Sequence, residues 1–169
     1  GAHSIEHATL MDDEAAALMR EHGVFMVPTL SALATTADRG PASGIPEPVV
    51  TKARTLRARH EASFKKAYRG GIPIALGTDA GTPFNHHGEN AQELERMVAL
   101  GMSPMEAIVT ATASAATLLG IHQSFGTIET CKLADLVIVN GNPLKQIGLL
   151  QNRDRIAGVM QAGRFVAGP

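Results

Sequence analysis

The chain has 169 residues with 15 basic and 16 acidic side chains, so its formal net charge is −1. This length allows one domain with at most a small appendage, and the balanced charge gives no electrostatic support for nucleic-acid binding. Hydrophobic residues make up 44 %, as in globular chains, and no apolar stretch approaches the roughly 20 residues that span a membrane. We therefore expect neither a nucleic-acid nor a membrane partner. Cys131 is the only cysteine, which excludes an internal disulfide and favours a cytoplasmic location.

The first 120 residues alternate between predicted strands and predicted helices. Predicted strands cover three short segments: 3–7, 24–27 and 72–76. Predicted helices follow them between Asp12 and Gly23, from Pro48 to about Tyr68, and over 89–99. A further helix starts with a capping box at 103–106, and another helical stretch runs through 113–119. The second and third strands are apolar on both faces, which is typical of buried parallel strands. This alternation predicts an α/β fold with a mostly parallel sheet and crossover helices.

Residues 31–48, which follow the second predicted strand, are rich in Ser, Thr, Gly and Pro and predict a long loop. Loops of this length are usually functional or mobile. We therefore expect residues 31–47 to be mobile or to close over a substrate.

The pattern changes after Gly120 from strands alternating with helices to short strands alone. The predicted strands are separated by Gly- and Asn-containing turns and cover 126–128, 134–139, 156–160 and 164–166. The last two are predicted to pair as a hairpin through the turn at 161–163. This tail of about fifty residues is too small to bury a core of its own, so we interpret it as a β appendage.

Two polar residues, His7 and Asp79, each stand at the carboxyl end of a predicted parallel strand. Catalytic groups of α/β barrels project from that end. A neutral imidazole and a carboxylate are ordinary ligands of a zinc-like divalent ion. The pair therefore indicates a metal site, whereas His22, His60 and His122 are interpreted as surface or core polar residues without a ligand role.

The sequence around this pair carries five short motifs in one order: 4–7 (Ser-Ile-Glu-His), 77–81 (Gly-Thr-Asp-Ala-Gly), 90–95 (with Asn90, Glu93 and Glu95), 103–107 (Ser-Pro-Met-Glu-Ala) and 126–137 (ending Lys-Leu-Ala-Asp-Leu-Val). Together they resemble the C-terminal portion of the amidohydrolase superfamily. Within it, the resemblance is greatest to the imidazolonepropionase-like and Xaa-Pro dipeptidase-like metal-dependent hydrolases. The similarity extends over essentially the whole chain.

The resemblance implies a fold made of part of a larger enzyme. Residues 1–120 would be the last three or so βα units of a TIM-type (β/α)8 barrel, and 121–169 the C-terminal strands of a small β-sandwich. His7 would be a metal ligand, and Asp79 a metal ligand that also shuttles a proton. His87 would contact substrate. The cofactor would be one or two divalent ions, with zinc as the expected metal. The substrate would be a dipeptide, N-acyl amino acid, lactam or similar small amide whose C–N bond is hydrolysed.

Several parts of the family pattern are absent from this sequence: the His-x-His of strand one, the bridging residue of strand four and the histidine of strand five. Two protein ligands are fewer than the three that catalytic zinc usually needs. The first interpretation is therefore a hydrolase segment completed by barrel strands in cis or from a partner chain. A homo-oligomeric half-barrel with a site shared between copies is the second interpretation, and a non-catalytic remnant that binds or scaffolds is the third.

Overall fold

A computed structural model describes residues 1–168, in which two small sheets accompany a set of helices. The elements in chain order are β1 (Ser4–Glu6), α1 (Asp13–Glu21), β2 (Phe25–Val27), α2 (Leu30–Arg39), α3 (Glu47–Arg69), α4 (Ala91–Ala99), α5 (Pro104–Val109), α6 (Ala115–Leu118), β3 (Leu136–Val139), β4 (Ile156–Gln161) and β5 (Arg164–Ala167). Within this range no helix has the length and apolar character needed to cross a membrane.

The parallel arrangement predicted for the first three strands is present around β2. On one side β1 pairs with β2 in parallel, with Ile5 opposite Met26. On the other side Met26 N donates to Pro73 O at 2.9 Å, and Ala75 N donates to Met26 O at 3.1 Å. The third segment thus joins β2 through a single parallel bridge, at Ile74, rather than as a full strand. Over residues 1–168 these strands do not close into a barrel.

A core of aliphatic and methionine side chains lies between the sheet and the helices, as the composition predicts. Its centre is Met26 of β2, Phe64 of α3 and Met97 of α4, all fully buried. Phe64 is the aromatic exception and stacks on Tyr68, with ring centroids 6.4 Å apart. The core therefore joins β2 to α3 and α4, which both follow it in the chain.

The loop predicted over 31–48 is wrong for residues 31–39, which belong to helix α2, and for 47–48, which begin α3; residues 40–46 connect the two helices. Leu30, Ala34 and Ala37 recur at helical spacing and form a buried apolar stripe. The many Ser and Thr residues between them made this segment resemble a loop in the sequence. The helix packs against α3 and α4. Residues 31–39 are therefore a packed helix and not a loop, whereas mobility or closure of 31–47 over a substrate stays a prediction.

The C-terminal strands are confirmed in part. Strands β3, β4 and β5 form an antiparallel sheet, and β4–β5 is the predicted hairpin. The strand predicted over 126–128 is absent from the structure. A Cβ at Gly126 would lie 2.6 Å from Ala116 Cβ and 2.9 Å from Thr112 O, so this segment crosses closely over α6 instead of extending beside the sheet. Pro169, the last residue of the predicted 121–169 unit, lies outside the described residues.

The two outer edges of the parallel strands differ. Within residues 1–168, β1 pairs only with β2, and an apolar groove of about 580 Å³ lies beside it. Ile5, Leu10 and Leu18, which line the groove, are 39–55 % exposed. On the opposite edge, Leu76 N donates to Thr110 O at 3.0 Å, so part of that edge is hydrogen-bonded to the helical segment after α5.

The capping box at the start of α5 yields a prediction about pH. Ser103 Oγ accepts a hydrogen bond from Glu106 N. The Glu106 carboxylate in turn accepts hydrogen bonds from Ser103 N and from the Tyr68 hydroxyl. Hydrogen bonds from Ser103 and Tyr68 hold the pKa of Glu106 below its usual value. The interaction is therefore fully present above about pH 4.5, the ordinary glutamate pKa, and is lost as the pH falls through the lower folded-state value. Ser103→Ala should lower the free energy of unfolding by about 1 kcal/mol at pH 7. Urea unfolding at a series of pH values from 7 downward checks this, and a deficit that stays constant down to the pH at which the folded chain itself unfolds would contradict it.

The open β1 edge yields a prediction about association. Because unpaired strand edges and apolar grooves promote association, the isolated chain should sediment as a dimer or larger species. Ile5→Lys with Leu18→Lys should shift it toward monomer, whereas Ile128→Lys, at a side chain 88 % exposed outside the groove, should not. Sedimentation velocity at several concentrations measures this. A compact monomer that binds no hydrophobic dye would contradict the prediction.

Candidate functional site

The residues that follow the three parallel strand segments share an unusual backbone conformation. His7 after β1, Thr29 after β2 and Asp79 after the third segment have φ angles of 64°, 50° and 53°. L-residues enter this left-handed region at a cost of about 1 kcal/mol or more, and such residues cluster at functional sites. The shared conformation therefore marks the carboxyl ends of the strands as the candidate site, including the two residues singled out from the sequence.

The His7 imidazole is held by the residue that ends β2. His7 Nδ1 lies 2.6 Å from Thr29 Oγ1, and the Thr29 hydroxyl donates to Pro28 O at 2.7 Å. The Pro28 carbonyl also receives a hydrogen bond from Nε2 of His60, which is buried in α3. Burial lowers the pKa of His60, favouring the neutral ring. His60 is therefore a structural residue behind the strand ends.

A buried carboxylate fixes the turn that follows Thr29. Glu93 of α4 is fully buried; its Oε1 accepts from Leu30 N at 2.6 Å, and its Oε2 accepts from Ser31 N and Oγ at 2.7 and 2.6 Å. Burial raises the pKa of Glu93, and the hydrogen bonds from Ser31 and Leu30 act in the opposite direction. Glu93 thus caps the first turn of α2 from a different helix.

Asp79 is positioned by the loop that follows the third segment. The buried amide of Asn85 donates to Thr78 O at 2.6 Å and to Asp79 O at 3.1 Å. Gly77 is required for packing, since a Cβ there would lie 2.4 Å from Val27 Cγ1. The Asp79 residue itself is exposed, and its carboxylate makes no hydrogen bond to any other described residue. Its oxygens are therefore available to a ligand.

The structure brings His87 to the same loop but does not assemble a complete metal site. The His87 ring is exposed, and its Nε2 lies 3.9 Å from where a Cβ of Gly81 would stand, two residues after Asp79. His7 and Asp79 occupy the same end of the strands, on either side of β2. Across residues 1–168 there is no group of three or more His, Cys, Asp or Glu side chains that could hold a metal ion.

Sequence reasoning did not find three residues that build this site: Thr29, Asn85 and Glu93. His7 and Asp79 were selected as polar residues at the carboxyl ends of predicted parallel strands. The same rule, the strand-end rule, applied to β2 would have found Thr29. Asn85 carried no separate signal within its loop. Glu93 belonged to a recognised motif, but its partners are more than sixty positions away, and no local pattern reports such a contact.

The fold and the site define an α/β protein with polar residues gathered at the carboxyl ends of parallel strands. The chain belongs to the amidohydrolase family, whose model matches residues 1–166. The resemblance seen in the sequence is thereby confirmed.

Three relatives illustrate the match. A Xaa-Pro dipeptidase, solved with methionine in its active site, is 43 % identical, with a TM-score of 0.87 over 98 % of this chain and 40 % of that one. Ochratoxinase of Aspergillus niger is 32 % identical over 172 residues, covering 100 % of this chain and 35 % of the relative. Imidazolonepropionase of Shouchella clausii is 29 % identical over 107 residues, covering 62 % of this chain and 24 % of the relative. The chain thus spans well under half the length of each.

The Glu93 cap yields a prediction about stability. Glu93→Gln replaces one of two accepting oxygens with an NH₂ group that faces backbone donors, so the free energy of unfolding should fall by about 1–3 kcal/mol. Glu21→Gln, the same change at an exposed position in α1, serves as the matched control. Denaturant unfolding of the two variants measures the difference, and equal stabilities would contradict the role given to Glu93.

Proposed function

We propose that this chain forms the last βα units of a (β/α)8 metal-dependent amidohydrolase, over residues 1–120, with a β-sandwich portion over 121–169. The enzyme would hydrolyse a small amide or peptide-type C–N bond. The observation that carries the proposal is the placement of His7 and Asp79, both in the left-handed conformation, at the carboxyl ends of parallel strands. Membership in the amidohydrolase family supports it.

The donor set of this chain fits a divalent metal such as zinc, although only in part. His7 offers an imidazole nitrogen and Asp79 an exposed carboxylate, both ordinary zinc ligands. Two ligands are fewer than the three that a catalytic zinc site usually has. The remaining ligands would therefore come from further barrel strands, either in the same polypeptide or from a partner.

The proposed mechanism divides the work between two residues. A divalent ion of this kind, when bound, would lower the pKa of water so that it can act as a nucleophile near neutral pH. Asp79 accepts a proton from the attacking water on a carboxylate oxygen and returns it to the leaving nitrogen, which is general acid–base catalysis. His87, whose Nε2 lies near Gly81, would hydrogen-bond the substrate near Asp79.

The substrate class follows from the relatives. A Xaa-Pro dipeptidase by its name cleaves dipeptides, and its structure holds an amino acid in the active site. We therefore propose a small dipeptide-like amide, with N-acyl amino acids and lactams in the same chemical class.

A second candidate is a self-associating form in which two copies contribute ligands to one site. The exposed groove beside β1 favours it, because a second chain that covers the groove would also extend the sheet. Metal content per chain separates it from a non-catalytic scaffold, which would bind none.

The role of Asp79 yields a sharp prediction for the assembled, metal-loaded enzyme. Asp79→Asn keeps the shape but removes the charge and the basicity, so kcat should fall about 10²-fold or more. The fold should survive because Asp79 is exposed. Asp154→Asn makes the same change at an exposed turn outside the site and is the matched control.

His7→Ala should instead lower the metal content first, with exposed His122→Ala as its control. Steady-state kinetics and metal analysis of all four variants make the test. If Asp79→Asn keeps wild-type turnover when fully metal-loaded, Asp79 is a structural strand-end residue and the proton-shuttle role is wrong.

A further inference from the structure

The Thr29 hydroxyl has two hydrogen-bond partners, and their chemistry determines which of them receives its proton. Thr29 Oγ1 lies 2.7 Å from Pro28 O and 2.6 Å from His7 Nδ1. A carbonyl oxygen can only accept, so the single hydroxyl proton is used in the bond to Pro28. The hydroxyl oxygen must then accept a proton from His7, which places that proton on Nδ1.

We infer that Thr29 is a positioning residue that holds His7 in its Nδ1–H tautomer and leaves the Nε2 lone pair for a metal ion. The inference rests on the proposed function, in which His7 is a metal ligand. A histidine ligand that donates its second ring N–H to a fixed acceptor has a defined orientation and a more basic coordinating nitrogen. Thr29 supplies that acceptor from the neighbouring strand.

The acceptor is fixed because Thr29 is held on both sides. Before it, Pro28 O is bonded to His60, which is 97 % buried (3 % exposed). After it, the backbone N–H groups of Leu30 and Ser31 are bonded to Glu93. A β-branched residue in the left-handed region is a steric outlier, and these contacts keep Thr29 there with its hydroxyl beside His7.

The test uses the full-length, complete-barrel enzyme and zinc alone as the probe. Thr29→Val keeps the shape but removes the hydroxyl, whereas Thr29→Ser keeps the hydroxyl. Chelator competition should show zinc affinity about 10- to 100-fold weaker for Thr29→Val and restored by Thr29→Ser. Thr29→Ala, which lacks the hydroxyl without being β-branched, replaces Thr29→Val if that variant does not fold.

A second measurement reads the tautomer directly. Long-range ¹H–¹⁵N spectra of the metal-free enzyme, with the His7 signal assigned by its loss in His7→Ala, should show Nδ1–H in the wild type and a shift toward Nε2–H in Thr29→Val. A structural role alone would not move this signal. Wild-type zinc affinity and an unchanged tautomer in Thr29→Val would overturn the inference.

His7→Ala separates this outcome from failure of the proposed function. If His7→Ala loses zinc while Thr29→Val binds it like the wild type, the positioning role is wrong and the ligand role stands. If His7→Ala binds zinc as tightly as the wild type, the ligand role of His7 is wrong, and the inference falls with it.

Discussion

Strand β2 is only three residues long, yet the whole candidate site depends on its being hydrogen-bonded along both edges. Val27 O accepts from His7 N at 2.8 Å on one side, and Met26 exchanges hydrogen bonds with the third segment on the other. Because Gly77 has no Cβ, the third segment can pass directly against Val27. Contacts with β2 therefore fix the positions of both His7 and Asp79 at the end of the sheet. A side chain at Gly77 would clash with Val27 and so disturb the contact between β2 and the segment that leads to Asp79.

The strand ends also carry backbone strain, which the structure offsets with buried polar groups. Three left-handed residues cost about 1 kcal/mol or more each. Two of them lie beside a polar contact that fixes the neighbouring backbone: Thr29 between Pro28 and the Glu93 cap, and Asp79 next to the Asn85 amide. Buried polar groups with satisfied partners hold one conformation because leaving any of them unpaired is costly. This explains why a fully buried glutamate and a fully buried asparagine stand close to a site that contains neither as a proposed reactant.

What the sequence predicted correctly was local in origin. The helix at 47–69, the capping box at Ser103 and the β4–β5 hairpin follow from periodicity, capping and turn residues within a few positions of one another. Helix α2 was missed because its cap, Glu93, lies more than sixty residues away and its apolar stripe is sparse. The segment at 126–128 was missed because its course depends on Ala116 of α6. At the site, the strand-end rule found His7 and Asp79, whose catalytic roles remain predictions. It passed over Thr29, because a hydroxyl suggests no metal ligand when considered alone.

The two metal ligands proposed above, His7 and Asp79, and the open β1 edge are linked by their positions in the sheet. His7 ends β1, the strand whose outer edge is unpaired within residues 1–168. A parallel strand added to that edge would end beside His7, because parallel neighbours place their carboxyl ends together. Such a strand would bury Ile5 and Leu18 and could bring a third ligand to the site in the same step. On the opposite edge, Leu76 N is bonded to Thr110 O, so a strand that joins the sheet there meets an edge that is already partly hydrogen-bonded. Under the proposed ligand role of His7, metal binding and the addition of a strand to β1 would be thermodynamically linked, since each stabilises the arrangement that the other requires.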